Sequence, residues 1–323
     1  MRTATGISGL LEVSPGATMD AGQEGIILRS TAADRTGMIA ALDPTASILG
    51  RIGLERFMEP RQRYRYISQP FNDVRFGDLA AQFPMWNGYQ FRYDESVTGY
   101  KDSGWVRISM DALLQPGVGY ITWPSSAIYW KPVTWTTYGR LVPGVNRDAV
   151  EVPVTFTPSP APAFSNDGWN LVGNPYPSAI RWSLDPKCWS DGKGGPARNI
   201  YPVVYLRDTQ TGGVRTYNAA TGIGDISGGT GIIASGQAFW VHTTAPDPTL
   251  VIHEAAKVRE GGIFNRAAAS PPAFQFTVIN GASSSSAFLI DLPATGAGFD
   301  QGIDAMALPD TLLSVGFVGE EKQ

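Results

Sequence analysis

Glycine and proline recur so often along this chain that no long helix has room to form. There are 37 Gly and 24 Pro in 323 residues, roughly one position in five against about one in eight in ordinary domains. Each weakens or ends a helix. The runs left between them are short, β-branched or aromatic, and bounded by Asp, Asn and Ser, which is the pattern of strands and turns. A single cysteine, Cys188, rules out an intrachain disulfide framework and a multi-thiolate metal site. Packing and backbone pairing must therefore hold the fold together.

The aromatic residues divide the chain. All nine Trp lie between Trp86 and Trp240, and all twelve Tyr between Tyr64 and Tyr217. Eleven short strand candidates fall between Tyr64 and Thr243, the last being Gln237–Thr243, with Gly77–Phe83 as the best helical stretch. Upstream, Ile7–Val13, Gly25–Ser30, Gly37–Leu42 and Arg51–Met58 read as stacked strands or a small sheet. Downstream, Ala273–Ile279 and Ala287–Leu292 flank the turn-prone NGASSSS and read as a hairpin. The expected fold is all-β, with a jelly-roll-like β-sandwich over 61–250 and one short helix at most. A strand-rich stalk or solenoid end is expected over 1–60, and the beginning of a second, incomplete β domain over 251–323.

Charge and motif content exclude several functions. The formal charge of −4 offers no cationic surplus for phosphate neutralisation, so nucleic acid is not an expected partner. No apolar run is long enough to span a bilayer as a helix. The P-loop, nucleophile-elbow and zincin patterns are missing, and GTGIIA (Gly229–Ala234) lacks the strand–turn–helix context of a dinucleotide site. His242 and His253 read as core-edge or surface residues, and the adjacent Asp94 and Glu95 as solvated turn residues. No cofactor is expected. The one metal candidate is a turn-bound calcium ion at Asp300 and Asp304 in GFDQGID, a spacing sparser than the D-x-D-x-D of dedicated loops.

Two aromatic groups stand out. Within YITWPSSAIYWKPVTWTTYGR, Trp123, Tyr129, Trp130 and Trp135 are candidates for a sugar-stacking platform, although alternation sends neighbouring rings to opposite faces. GWNLVGNPYPSAIRW (Gly168–Trp182) reads differently. Trp169 packs from a strand, Asn174, Pro175, Tyr176 and Pro177 enforce an extended turn, and Trp182 closes over it.

That last phrase resembles one that recurs in large surface and secreted proteins of Bacteroidota exported by the type IX (Por) route. Other segments resemble the same family in the same order: Leu54–Phe71, Gly88–Ser96, Pro116–Ile121, Ser235–His242 and Ala294–Ala305. The resemblance implies a module lying upstream of a C-terminal sorting domain, located outside the cell or at its surface, in a portion of a longer protein. It brings no catalytic residues with it. The expected function is thus a non-catalytic structural or adhesion module, self-assembling through β edges, with neighbouring copies or cell-envelope components as partners. The alternatives are a carbohydrate-binding module that takes polysaccharide on its exposed Trp and Tyr, and a β-sheet glycosidase or lyase whose acid pair converges only in the fold.

Overall fold

The computed structural model describes residues 5–22, 25–60, 63–82, 85–97, 101–125, 131–141, 149–159, 167–209, 212–224 and 230–262, and the backbone of 274–280 and 283–289. The fold is all-β. Its one α-helix among the described residues is Phe76–Ala80, which buries Phe76 and Leu79 and ties its first turn with a hydrogen bond from the Arg75 N–H to Asp78 Oδ2.

The chain begins as a parallel β-coil. Thr5–Ile7, Ile26–Leu28 and Ile52–Met58 stack in parallel, as do Leu10–Leu11 with Met38–Ile39 and Thr18–Asp20 with Ser47–Leu49. In-register stacking aligns like residues from coil to coil, so Ile7, Leu28 and Leu54 form one aliphatic column and Leu11 and Ile39 another. Parallel strands succeed here because apolar runs such as Ile26–Leu28 are buried along most of their length. The column then stops turning. Ile52–Met58 takes an antiparallel partner, Val133–Gly139, from the middle of the chain, so the first sheet joins the coil to the aromatic region.

Beyond the coil, antiparallel sheets lie in layers. A four-stranded sheet runs Arg65–Ile67, Tyr120–Pro124, Met85–Tyr93, Trp105–Arg107. A five-stranded sheet runs Trp169–Gly173, Ala238–His242, Val203–Arg207, Val214–Asn218, Ile223–Gly224. A third sheet comprises Ala149–Glu151, Val251–His253 and Trp189–Ser190. The five-stranded sheet is covered on both faces, as alternation along its strands shows. Ala238 and Trp240 pack with Tyr66, Ile121, Trp169 and Tyr205, whereas Phe239 and Val241 pack with Val172, Trp182, Trp189 and Ile252. The expected sandwich therefore continues into a further layer on each side, the outer face of the four-stranded sheet resting on Trp135, Phe76 and Leu79.

Trp240 is the hub of the inner layer. Its ring is 0 % exposed and meets Tyr93 at 4.7 Å, Trp105 at 5.7 Å, Tyr66 at 6.3 Å and Trp169 at 6.4 Å, each edge to face. That geometry places the positive ring edge of one partner against the negative face of the other. The downstream hairpin also forms, but Asn280 pairs with Ser283, so its turn is shorter than NGASSSS suggested and the serines belong to the second strand. Trp240→Ala is expected to cost about 3–5 kcal/mol of unfolding free energy in a urea titration, because four rings lose one partner in a space that cannot collapse.

Candidate functional site: the joint between coil and sheets

The GNPYPS loop follows the edge strand Trp169–Gly173 and is buried throughout. Asn174 holds its shape. The amide Nδ2 donates to the carbonyls of Ser178 (2.8 Å), Ala234 (3.1 Å) and Ile233 (3.2 Å), while Oδ1 accepts the Tyr176 N–H at 2.9 Å. Pro175 and Pro177 add no backbone donors that would need partners in this dry setting. The Tyr176 hydroxyl donates to the Ile252 carbonyl at 2.7 Å, fixing the loop to the third sheet. Trp182 closes the far side, with Nε1 donating to the Pro202 carbonyl at 2.6 Å and its ring against Trp189 at 4.6 Å. Trp169, also fully buried, packs on Tyr205 at 4.9 Å.

Ser178 connects this loop to the coil. Met38 and Ala40 donate their N–H groups to Gly9 and Leu11 in the coil above, so the polar backbone of Ile39 faces the opposite way. There Ser178 Oγ accepts the Ile39 N–H at 3.0 Å and donates to the Ile39 carbonyl at 2.5 Å. One hydroxyl thus does for Ile39 what the next strand of the coil would have done.

A strap at Glu254–Gly262 reinforces the contact. Lys257 Nζ lies 2.6 Å from Glu254 Oε2 and reaches the Ala40 carbonyl at 3.5 Å, and the same carboxylate oxygen accepts the Leu42 N–H at 2.8 Å. The ammonium sits 4.9 Å from the Tyr176 ring centroid, a cation–π arrangement. Burial lowers the Lys257 pKa, and Glu254 opposes that shift. Beyond it, Arg259 pairs with Glu12 of the first coil. Glu12, Pro15, Ala40, Lys257 and Arg259 border an open groove of about 380 Å³ whose two cations are each answered by a carboxylate.

The candidate platform does not assemble. Trp135 is 1 % exposed, in the core with Phe76 and Leu79, because its position on Val133–Gly139 turns it toward the four-stranded sheet. Trp123 is half-buried and meets Tyr64 edge to face at 4.5 Å. Tyr129, Trp130, Asp300 and Asp304 lie outside the described residues. Among the described residues no group of three or more His, Cys, Asp or Glu converges for a metal.

One further reading changes, and a second residue gains a partner. Glu95 is buried rather than solvated, accepting from the Thr157 N–H (2.8 Å), Thr157 Oγ1 (3.0 Å) and the Gly168 N–H (2.9 Å). His253 is brought to Ser190, Nε2 lying 2.7 Å from Oγ, a pair that its sequence separation concealed. The same Oγ accepts the Gly192 N–H at 3.0 Å, and Ser190 is buried, so the pair braces the turn after Trp189–Ser190. His242 is also buried. Its Nε2–H donates to the Asp167 carbonyl at 3.0 Å, which leaves Nδ1 without a partner among the described residues.

The fold and this joint define an all-β protein in which a short parallel coil is ended by, and clamped to, layered antiparallel sheets. The chain belongs to a family described as a domain of unknown function, DUF8693, whose model matches residues 34–268. No curated protein and no solved structure matches it. The matched range contains Ile39, the whole GNPYPS loop and the Glu254–Lys257 pair.

Ser178→Ala should lower stability by about 1–3 kcal/mol in denaturant titrations, since two buried backbone groups lose their partner. Asn174→Ala should cost more, because three carbonyls and one N–H do so together. Burial lowers the His242 pKa from its ordinary 6.5, with the Asp167 carbonyl and the Glu95 and Asp167 charges opposing. The unfolded chain therefore binds the proton more readily than the native one. Stability from this residue is complete above about pH 6.5 and is lost as pH falls through the native value. Thermal midpoints of the wild type should decline as pH falls below about 6.5, and His242→Gln should flatten that slope.

Proposed function

We propose that the protein is a non-catalytic structural or adhesion module of a larger secreted or surface-anchored protein, acting outside the cell, of the kind exported by the type IX route of Bacteroidota. The observation that carries this reading is the use made of the family-like phrase. Asn174, Tyr176 and Ser178, the polar residues of GNPYPS, each bond the loop to a neighbouring segment, Asn174 also bracing the loop itself, and Ser178 joins coil to sheets. A coil whose last turn is locked into a rigid multilayer body suits a part that carries load or holds a surface at a distance. The buried rings and paired charges serve the same rigidity without disulfides. Protease added to intact source cells should digest the polypeptide without lysis. Complete protection until the cells are broken would contradict the extracellular placement.

A specific observation favours carbohydrate binding as the second reading. Half-buried Trp123 is propped edge to face by Tyr64, and Tyr89 on the neighbouring strand of the same sheet is 42 % exposed. Rings held at a sheet margin stack on sugar faces with little loss of freedom. Under this reading a glycan array gives reproducible binding that Trp123→Ala abolishes at unchanged thermal midpoint. Arrays that stay blank, or binding indifferent to Trp123→Ala, favour the structural reading alone.

A further inference from the structure

The register of the four-stranded sheet lines up its rings. Tyr66, Ile121, Phe91 and Arg107 are successive partners on neighbouring strands, so they share one face, the face that packs on the aromatic inner layer. One rung further out on that face Tyr64 meets Trp123 at 4.5 Å, and the shifted register of Met85–Tyr93 brings Tyr89 in beside Trp123. Tyr66 and Ile121 are buried, whereas Tyr64 and Trp123 are half-buried and Tyr89 is 42 % exposed, so the outer row reaches solvent where the inner one does not. Three adjacent strands spread these rings over about 10 Å.

Each end of the row carries a guanidinium. Arg63 precedes Tyr64, and its head group lies against Gly212 in the turn that joins Val203–Arg207 to Val214–Asn218. Arg107 lies across Gly88, next to Tyr89, and a Cβ at that glycine, whose φ is +95°, would stand 2.5 Å from Arg107 Nη2. Neither Arg63 nor Arg107 has an ion pair or a side-chain hydrogen bond among the described residues. By contrast, Arg29, Arg92, Arg181 and Arg259, also solvent-exposed, are each answered by a carboxylate. On a chain whose formal charge is −4, two unanswered cations flanking one row of rings make a local field of opposite sign to the whole.

We propose that this row is a binding site for an anionic polysaccharide, a chain of linked sugars bearing carboxylate or sulfate groups. The rings of Trp123 and Tyr89 take the sugar faces, and Arg63 and Arg107 take the acid groups. Charge complementarity asks for an anion, since each guanidinium presents a fork of donors that fits carboxylate or sulfate oxygens. The rings ask for flat apolar faces repeated along a line, because they are fixed across a sheet and not gathered round a pocket. An acidic peptide meets the first demand and not the second. Single-stranded nucleic acid also stacks, but it needs a cationic track along its whole backbone, which two end charges do not give. The inference rests on the carbohydrate-binding reading above and deepens it by naming the class of sugar.

Titration calorimetry of the full chain with polygalacturonate, dextran sulfate, neutral dextran and poly(dT) tests it. Binding to an anionic polysaccharide, and not to dextran or poly(dT), is expected, with polygalacturonate reporting carboxylate and dextran sulfate reporting sulfate as the group recognised. Arg107→Gln and Trp123→Ala should each weaken that binding at least about tenfold at unchanged thermal midpoint. If Trp123→Ala lowers the midpoint, Tyr89→Ala replaces it as the ring variant. Anionic binding indifferent to Arg107→Gln or to the ring variant, or binding of poly(dT) as tight as that of the polysaccharides, would overturn the proposal. Dextran binding that Trp123→Ala abolishes and Arg107→Gln leaves intact overturns it while the carbohydrate reading stands. No binding to any of the four overturns both.

Discussion

The structure depends on how a parallel coil is brought to an end. Stacked coils expose a row of backbone donors and acceptors on their last turn, and in a dry interior each must find a partner. In this chain the last turn is met twice by other segments. Val133–Gly139 supplies a strand to Ile52–Met58, and Ser178 supplies a single hydroxyl to Ile39. The first contact is long and regular, and the second is local and depends on one atom. Because Ser178 sits in a loop that Asn174 and Tyr176 tie to Ile233, Ala234 and Ile252, a coil held by Ser178 is held by the multilayer body.

That body is stiff for a separate reason. The five-stranded sheet is buried on both faces, so each strand residue has a fixed neighbour above or below it, and the large rings are placed where one contact supports several others. Trp240 touches four rings on one side of the sheet, while Phe239, its neighbour in sequence, meets Trp182 and Trp189 on the other. Burying this much aromatic surface offsets the ordering entropy of a chain rich in glycine. It also explains why one unpaired cysteine suffices. Cys188 is half-buried, donates to the Ala255 carbonyl at 3.4 Å, and has its pKa raised, first by burial.

Much of this was legible in the chain. Gly and Pro punctuation gave the all-β class, the apolar run in Gln237–Thr243 gave the strand at Ala238–His242, and the resemblance picked out the phrase that forms the joint. Other features needed long-range pairing. Trp135 was placed among surface candidates because a strand's alternation says that its faces differ without saying which one meets the core. Glu95 read as a turn acid because its partners, Thr157 and Gly168, lie 62 and 73 residues away. The parallel coil was visible as short apolar runs, but the distances between stacked strands vary, so no repeat announced it. Ser178 carried no sign of Ile39, 139 residues earlier.

Hydrogen exchange under native conditions tests the coupling most directly at one amide. If Ser178 binds coil and sheets into one cooperative unit, the Ile39 N–H exchanges only through the same global opening that releases the amides of Ala238–His242, with the same free energy and denaturant dependence. Exchange of Ile39 through a separate, cheaper opening, while those sheet amides stay protected, would contradict the account.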